Sequence, residues 1–352
     1  MMLTHGGDWA GYETEYGKMP LDFSANVSPL GLPEGVRKAA EHALTNSGHY
    51  PDPLCRVLCD ALGEHYGVNP EHILCGNGAA DLIFRLCYAV RAKRALITAP
   101  AFSEYGEALR AAGTEIDEYP LFEENEFRPR EDILSYITPE TGLVFMCEPS
   151  NPAGTLCGKE LLLKILDKCR ETGAILALDE CFNEFLDSSK EASLIPYIEG
   201  GSIIIIRAFT KFYAMAGLRA GYCFCSDTEL LEKMRKNGPP WNVSSVAQAA
   251  GIAALREKDY GERLLGIIKE EREYLYNELS SLGFKVIPGK ADFLLFKSER
   301  EDLAEEMKLR GILIRDCGNY SGLHKGWYRV AVKLHEDNIK LISAFREVLG
   351  NG

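Results

Sequence analysis

At 352 residues the chain is long enough for one large α/β unit and a smaller one, with a core that needs no metal or disulfide staple. Its 46% hydrophobic and 26% charged residues are those of a soluble globular protein, and a formal charge of −13 argues against a nucleic-acid surface or a cationic membrane-binding face. A small anionic substrate therefore needs a local basic pocket.

Residues 1–17 show no basic stretch followed by an apolar one, and the longest apolar runs, 174–178 and 202–206, are strand-sized, so a cytoplasmic protein is expected. In chain order, residues 1–44 read as a loop-rich arm that lies across a domain boundary or against a partner subunit. Short apolar runs at 73–75, 94–98, 143–147, 174–178, 202–207 and 221–225 then alternate with helical patterns at 80–90, 104–112 and 160–172. Continuous apolar strands joined by helices predict a mostly parallel sheet, with ligands gathered at the carboxyl ends of the strands. Beyond Pro239-Pro240 come a long charged helix at 261–282, strands at 286–287, 293–296, 312–315 and 328–332, and a last helix from Glu336. The expected division is an arm that joins the smaller domain (1–44), a large domain (45–240) and a small α+β domain (241–352). The eleven cysteines include no C-x-x-C pair and the seven histidines no H-E-x-x-H, so the cysteines read as small buried hydrophobes and no metal is expected.

The chemistry centres on A-F-T-K-F-Y-A-M-A-G-L-R-A-G-Y at 208–222, which follows a buried run. Desolvation lowers the pKa of a lysine in such a loop and frees its amine to attack a carbonyl carbon. Arg219 lies eight residues beyond Lys211, with Gly217 and Gly221 beside it to allow close backbone approach, which suits one amine and one phosphate anchor. An isolated T-K is more often a surface lysine, so the argument rests on further matches in chain order. Asp179 ends the run 174–178 and could hold a heterocyclic nitrogen protonated, although a lone aspartate there is more often a helix cap. Asn151-Pro152 forms a turn after 143–147, and C-G-N-G-A-A-D at 75–81 joins a strand to a helix whose first N–H groups could cradle a phosphate. The G-x-G-x-x-G dinucleotide fingerprint is absent there.

Together these segments resemble the fold-type I, class I/II aminotransferases over nearly the whole chain. The resemblance implies pyridoxal 5'-phosphate (PLP) as cofactor, Lys211 as the residue that carries it and Asp179 as the partner of its pyridine nitrogen. It further implies that Asn151 bonds the cofactor's 3-oxygen and that Gly78, Ala79, Ala80, Thr210 and Arg219 hold its phosphate. Tyr105, in P-A-F-S-E-Y, matches the aromatic residue stacked on the ring. Tyr50, in Y-P-D-P, matches the tyrosine that reaches a neighbouring subunit's cofactor, which implies a homodimer. Arg329, in Y-R-V-A-V, matches the arginine that grips the substrate α-carboxylate through two parallel bonds.

Within that superfamily, H-G-G-D at 5–8, D-F-S-A-N-V-S-P-L-G at 22–31 and I-R-D-C-G-N-Y at 314–320 resemble the branch of histidinol-phosphate aminotransferases and threonine-phosphate decarboxylases. That branch implies a phosphorylated amino substrate faced by Asn26, with Arg315 and His5 on its phosphate. The expected reaction is decarboxylation of L-threonine O-3-phosphate to aminopropanol phosphate, in cobalamin biosynthesis; transamination of a substrate such as histidinol phosphate is the alternative. Phe182 stands where aminotransferases of the branch usually carry a tyrosine, and Ala79 and Ala80 replace polar residues of the phosphate cup. A ligand-sensing regulator built on this fold would need a DNA-binding segment, and no basic helix-turn-helix pattern is visible.

Overall fold

The computed structural model describes residues 5–350. Its central sheet has seven strands in the order Ile73–Gly76, Gly221–Phe224, Ile203–Ala208, Ile175–Asp179, Thr141–Cys147, Arg94–Ala99 and Glu115–Pro120. From Ile203–Ala208 to Glu115–Pro120 neighbouring strands run parallel, whereas Gly221–Phe224 runs against both of its neighbours. The inner strands are continuous apolar runs because both faces are covered. Alternate side chains of Ile203–Ala208 divide between the faces: Ile204 and Ile206 join Leu82, Leu86 and Leu109, and Ile203 and Ile205 join Leu58, Leu162 and Leu166. The result is an α/β fold with a mostly parallel sheet.

A second, antiparallel sheet has the order Arg315–Asp316, Trp327–Ala331, Phe293–Lys297 and Lys285–Val286, backed by the helices Lys258–Ser281 and His335–Val348. The stretch expected as one strand at 312–315 divides at Ile314: Ile312–Leu313 pairs with Leu21–Asp22, and Arg315–Asp316 turns to pair with Trp327–Ala331. The edge strand Glu115–Pro120 went unpredicted because its residues, E-I-D-E-Y-P, keep mostly to solvent and leave no apolar run.

The N-terminal arm contains more regular structure than expected, with helices Trp9–Tyr16 and Glu34–Leu44 around the short strand Leu21–Asp22. It ties the two sheets together. The Phe23 N–H donates to Leu313 and the Ala331 N–H to Phe23, both at 2.8 Å, and the Ser28 N–H donates to the Lys211 carbonyl at 2.9 Å. All eleven cysteines are free and ten are buried, which agrees with their reading as small hydrophobes. Among the described residues no helix is long and apolar enough to cross a membrane, and no group of side chains is placed to hold a metal.

Candidate active site

Because the inner strands run parallel, the loops that leave their carboxyl ends meet at one rim. The loop after Ile203–Ala208 brings Thr210 and Lys211, the end of Ile175–Asp179 brings Asp179, and the turn after Thr141–Cys147 brings Asn151. Gly221–Phe224 runs the other way, so its beginning lies at the same rim and places Arg219 there. These residues line a cavity of about 470 Å³ together with Ala79, Ala80, Tyr105, Asn26, His5, Arg315 and Arg329.

One end of the cavity is an anion cradle. Gly78 opens the helix Gly78–Val90 at φ +79°, and a Cβ on it would lie 2.7 Å from Arg219 Nη2. A Cβ on Gly221 would lie 2.6 Å from the Gly78 carbonyl carbon. Only glycine allows this approach, which brings the unpaired first-turn N–H groups and the Arg219 guanidinium to one spot. Gly217, expected to share that task, has open space around it.

Beside the cradle lie the lysine and the aspartate. Lys211 is half-buried only because it lines the cavity; the protein packed around its amine desolvates the ammonium and lowers its pKa. Asp179 is 5% exposed. It accepts the Cys181 N–H at 2.9 Å and the Tyr105 hydroxyl at 2.6 Å, and burial raises its pKa against the pull of these bonds and of Lys211. Its neighbour Glu180 anchors the strand end, accepting Arg207 Nε at 3.0 Å and the Leu194 N–H at 2.9 Å.

Tyr105, expected to stack on the cofactor ring, lines the cavity with its ring and hydroxyl both engaged by the protein. Its ring lies on Phe145 (centroids 5.0 Å apart, planes at 11°) and its hydroxyl is spent on Asp179. Phe102, at the end of the loop before the helix Ser103–Ala111, is the more open aromatic on the cavity wall. Both residues belong to P-A-F-S-E-Y, and only the helix start, which turns Tyr105 inward, separates their roles.

The far wall comes from the second sheet. Arg315 and Arg329 are register partners on adjacent antiparallel strands, so both guanidinium groups leave the same face. Arg329 donates to Asn151 Oδ1 at 2.5 Å and to the Ser24 carbonyl at 3.1 Å, and its Nε has no partner among the described residues. Asn26 is 2% exposed, and its Oδ1 has no partner among the described residues. Arg315 donates to Asn319 Oδ1 at 2.7 Å and lies over the Tyr320 ring, while His5 Nε2 is 2.8 Å from Glu104 Oε1. Tyr50 is not among the residues that line the cavity: it is 78% exposed and stacked on Trp241.

A fold of this kind, with a lysine, an aspartate and an anion cradle at the strand ends, defines a class of enzyme. The chain belongs to the aminotransferase class I and II family, whose model matches residues 18–344, and it is a PLP-dependent enzyme. Among its relatives, the threonine-phosphate decarboxylase of Salmonella typhimurium is 38% identical, covering 98% of this chain and 96% of the relative. Histidinol-phosphate aminotransferase 2 of Archaeoglobus fulgidus is 33% identical over 94% of both chains. The crystal structure of the histidinol-phosphate aminotransferase from Clostridium acetobutylicum superposes with a TM-score of 0.88 at 31% identity, covering 94% of this chain and all of that one. The donor set fits PLP: a cradle for its phosphate, a desolvated amine for its carbonyl carbon, and a buried carboxylate for its ring nitrogen.

Proposed function

We propose that the chain is a lyase that removes the α-carboxylate of L-threonine O-3-phosphate as carbon dioxide, leaving aminopropanol phosphate, in cobalamin biosynthesis. The observation that carries this reading is the pair Arg315 and Arg329, two buried guanidinium groups on one face of one cavity. They match a substrate with two separated anionic groups. Arg329 takes the carboxylate, and Arg315 with His5 takes the phosphate, while Asn26 faces the carbon chain between them.

In this reading Lys211 carries the cofactor, Asp179 bonds its pyridine nitrogen and Asn151 its 3-oxygen. Gly78, Ala79, Ala80, Thr210 and Arg219 hold its phosphate, and Phe102, in place of Tyr105, covers its ring. PLP, when bound, supplies a protonated ring that draws off the electron pair released at the substrate's α-carbon. Tyr105 orients Asp179. Phe182 lines the cavity with no hydroxyl to offer the 3-oxygen, in keeping with the decarboxylases of the branch. Lys211 returns a proton to the α-carbon after carbon dioxide has left.

The exposed Tyr50–Trp241 pair supports a homodimer in which Tyr50 reaches the neighbouring cofactor. The eleven free thiols suit a reducing cytoplasm. Residues 45–240 form the cofactor-binding domain, and 241–352 with the arm 1–44 the smaller one.

The second reading is transamination of a phosphorylated amine such as histidinol phosphate, favoured by the 33% and 31% identical relatives that bear that name. Incubation with threonine phosphate, and separately with histidinol phosphate plus 2-oxoglutarate, separates the two. Carbon dioxide released from the first supports the lyase; glutamate from the second without any carbon dioxide overturns it.

A further inference from the structure

Asp292 is 1% exposed, and neither of its carboxylate oxygens takes a hydrogen bond from another described residue. A carboxylate buried in this way is costly unless an opposite charge stands close. It lies at the entry to Phe293–Lys297, where its carbonyl accepts the Val332 N–H at 2.7 Å. The adjoining Phe293 ring packs on Phe182 (centroids 5.0 Å apart) and against the Arg329 guanidinium at 5.2 Å. Lys211 Nζ stands 6.0 Å from that same Phe182 ring. The cations facing Asp292 are Lys211, Arg329, Lys333 and Arg272, of which Lys211 acts on it most strongly. Arg329 spends Nη1 and Nη2 on Asn151 and Ser24, leaving Nε without a partner among the described residues, and Arg272 gives Nη1 to the carbonyls of Lys290 and Ala291. Asp292 is in turn the foremost opposite charge acting on Lys211, against Arg329 and Arg219.

We propose that Asp292 is a positioning residue that keeps Lys211 in its ammonium form once substrate has displaced it, so that the lysine gives a proton to the α-carbon instead of taking one from it. Burial alone drives Lys211 toward the neutral amine, the form suited to removing an α-hydrogen. It also pushes Asp292 up to about 6, so the carboxylate is ionised at neutral pH and opposes that drift. The proton balance closes. The substrate's ammonium sheds a proton as it displaces the lysine, and Lys211 keeps it. When carbon dioxide leaves, the electron pair of the broken C–C bond remains at the α-carbon. With PLP bound, the Lys211 N–H bond would break as a C–H bond forms on that pair, leaving a neutral amine that could rejoin the cofactor's carbonyl carbon as the product amine departs.

This inference rests on the lyase reading, but its first test uses neither substrate nor cofactor. The apo-protein is labelled with a water-soluble acylating reagent over a pH series, and the midpoint for Lys211 is read by peptide mass spectrometry. Asp292→Asn should lower that midpoint by about one pH unit, and Asp292→Glu should restore it. In the PLP-loaded enzyme, Asp292→Asn should lower kcat for carbon dioxide release about tenfold with KM unchanged. A purely structural aspartate would leave the midpoint where it was, and that result overturns the proposal. Lys211→Met supplies an independent measurement if Asp292→Asn fails to fold. The stranded carboxylate should make its stability fall more steeply between about pH 4 and pH 8 than that of the unmutated apo-protein, and parallel profiles overturn the proposal. Absence of carbon dioxide release by the unmutated enzyme sinks the lyase reading and the donor role with it, whereas an unmoved midpoint sinks the role of Asp292 alone.

Discussion

Tyr105→Phe separates two tasks that the sequence alone confuses. The variant keeps the ring, so if stacking were the residue's work the substitution would cost nothing. The structure instead spends the hydroxyl on Asp179 Oδ2 at 2.6 Å, within a site where Tyr105 is 1% and Asp179 5% exposed. A hydrogen bond to a charged acceptor contributes about 1.5–3 kcal/mol. The oxygen left without a donor should lower the melting temperature of the apo-protein by on the order of 3–5 °C. Because that bond also holds the Asp179 pKa down, its loss moves the carboxyl further toward the protonated form, which cannot accept a proton from a ring nitrogen. PLP affinity should therefore weaken as well, most clearly near the acid end of the range. Differential scanning fluorimetry of the apo-protein and PLP titration followed by protein fluorescence measure the two effects. If Tyr105→Phe melts and binds PLP like the unmutated protein, the assignment of its hydroxyl to Asp179 is wrong.

Phe102→Ala should weaken PLP binding about three- to tenfold, from the loss of ring stacking, with little change in melting temperature; a larger effect from Tyr105→Phe on stability and from Phe102→Ala on binding is the expected contrast. Arg315→Met should raise KM for threonine phosphate about 10- to 100-fold, which steady-state assays test; an unchanged KM would refute a phosphate contact at Arg315. Glu148 is 3% exposed and accepts the Cys157 and Gly158 N–H groups at 2.8 and 3.0 Å, yet burial raises its pKa from 4.5 to about 7. With the folded value above the unfolded one, its contribution is fully present below the unfolded pKa and is lost as pH rises through the folded pKa. Relative to Glu148→Gln, the unmutated protein should lose about 3 kcal/mol between roughly pH 4.5 and 7, and urea unfolding at a series of pH values would show a flat difference if this reasoning fails.

Much of the candidate site could be read before the fold was known. Lys211, Asp179, Asn151 and Gly78 each follow a continuous apolar run, and strands buried on both faces leave that mark in sequence. Once such runs alternate with helices, a parallel sheet brings their carboxyl ends together, so four separate weak motifs become one site. The glycines were legible only in part. Gly221 is demanded by the backbone of Gly78 and Ala79, while Gly217, which likewise follows an alanine, has open space where a Cβ would stand.

The order of the segments and the residue types at strand ends are properties of the sequence by itself, because burial of each strand is written in its own side chains. Pairing partners are not. Whether residues 312–315 make one strand or two was decided by Leu21–Asp22 and Trp327–Ala331 arriving on either side of Ile314. That same register set Arg315 opposite Arg329 on the cavity wall. The inward turn of Tyr105 depended on a carboxylate 74 positions away, and the isolation of Asp292 on how the second sheet meets the lysine loop. These are long-range contacts whose energy exists only after both partners have been brought from distant parts of the chain. Lys211 could thus be singled out from its own surroundings, and the buried carboxylate of Asp292 only from the fold.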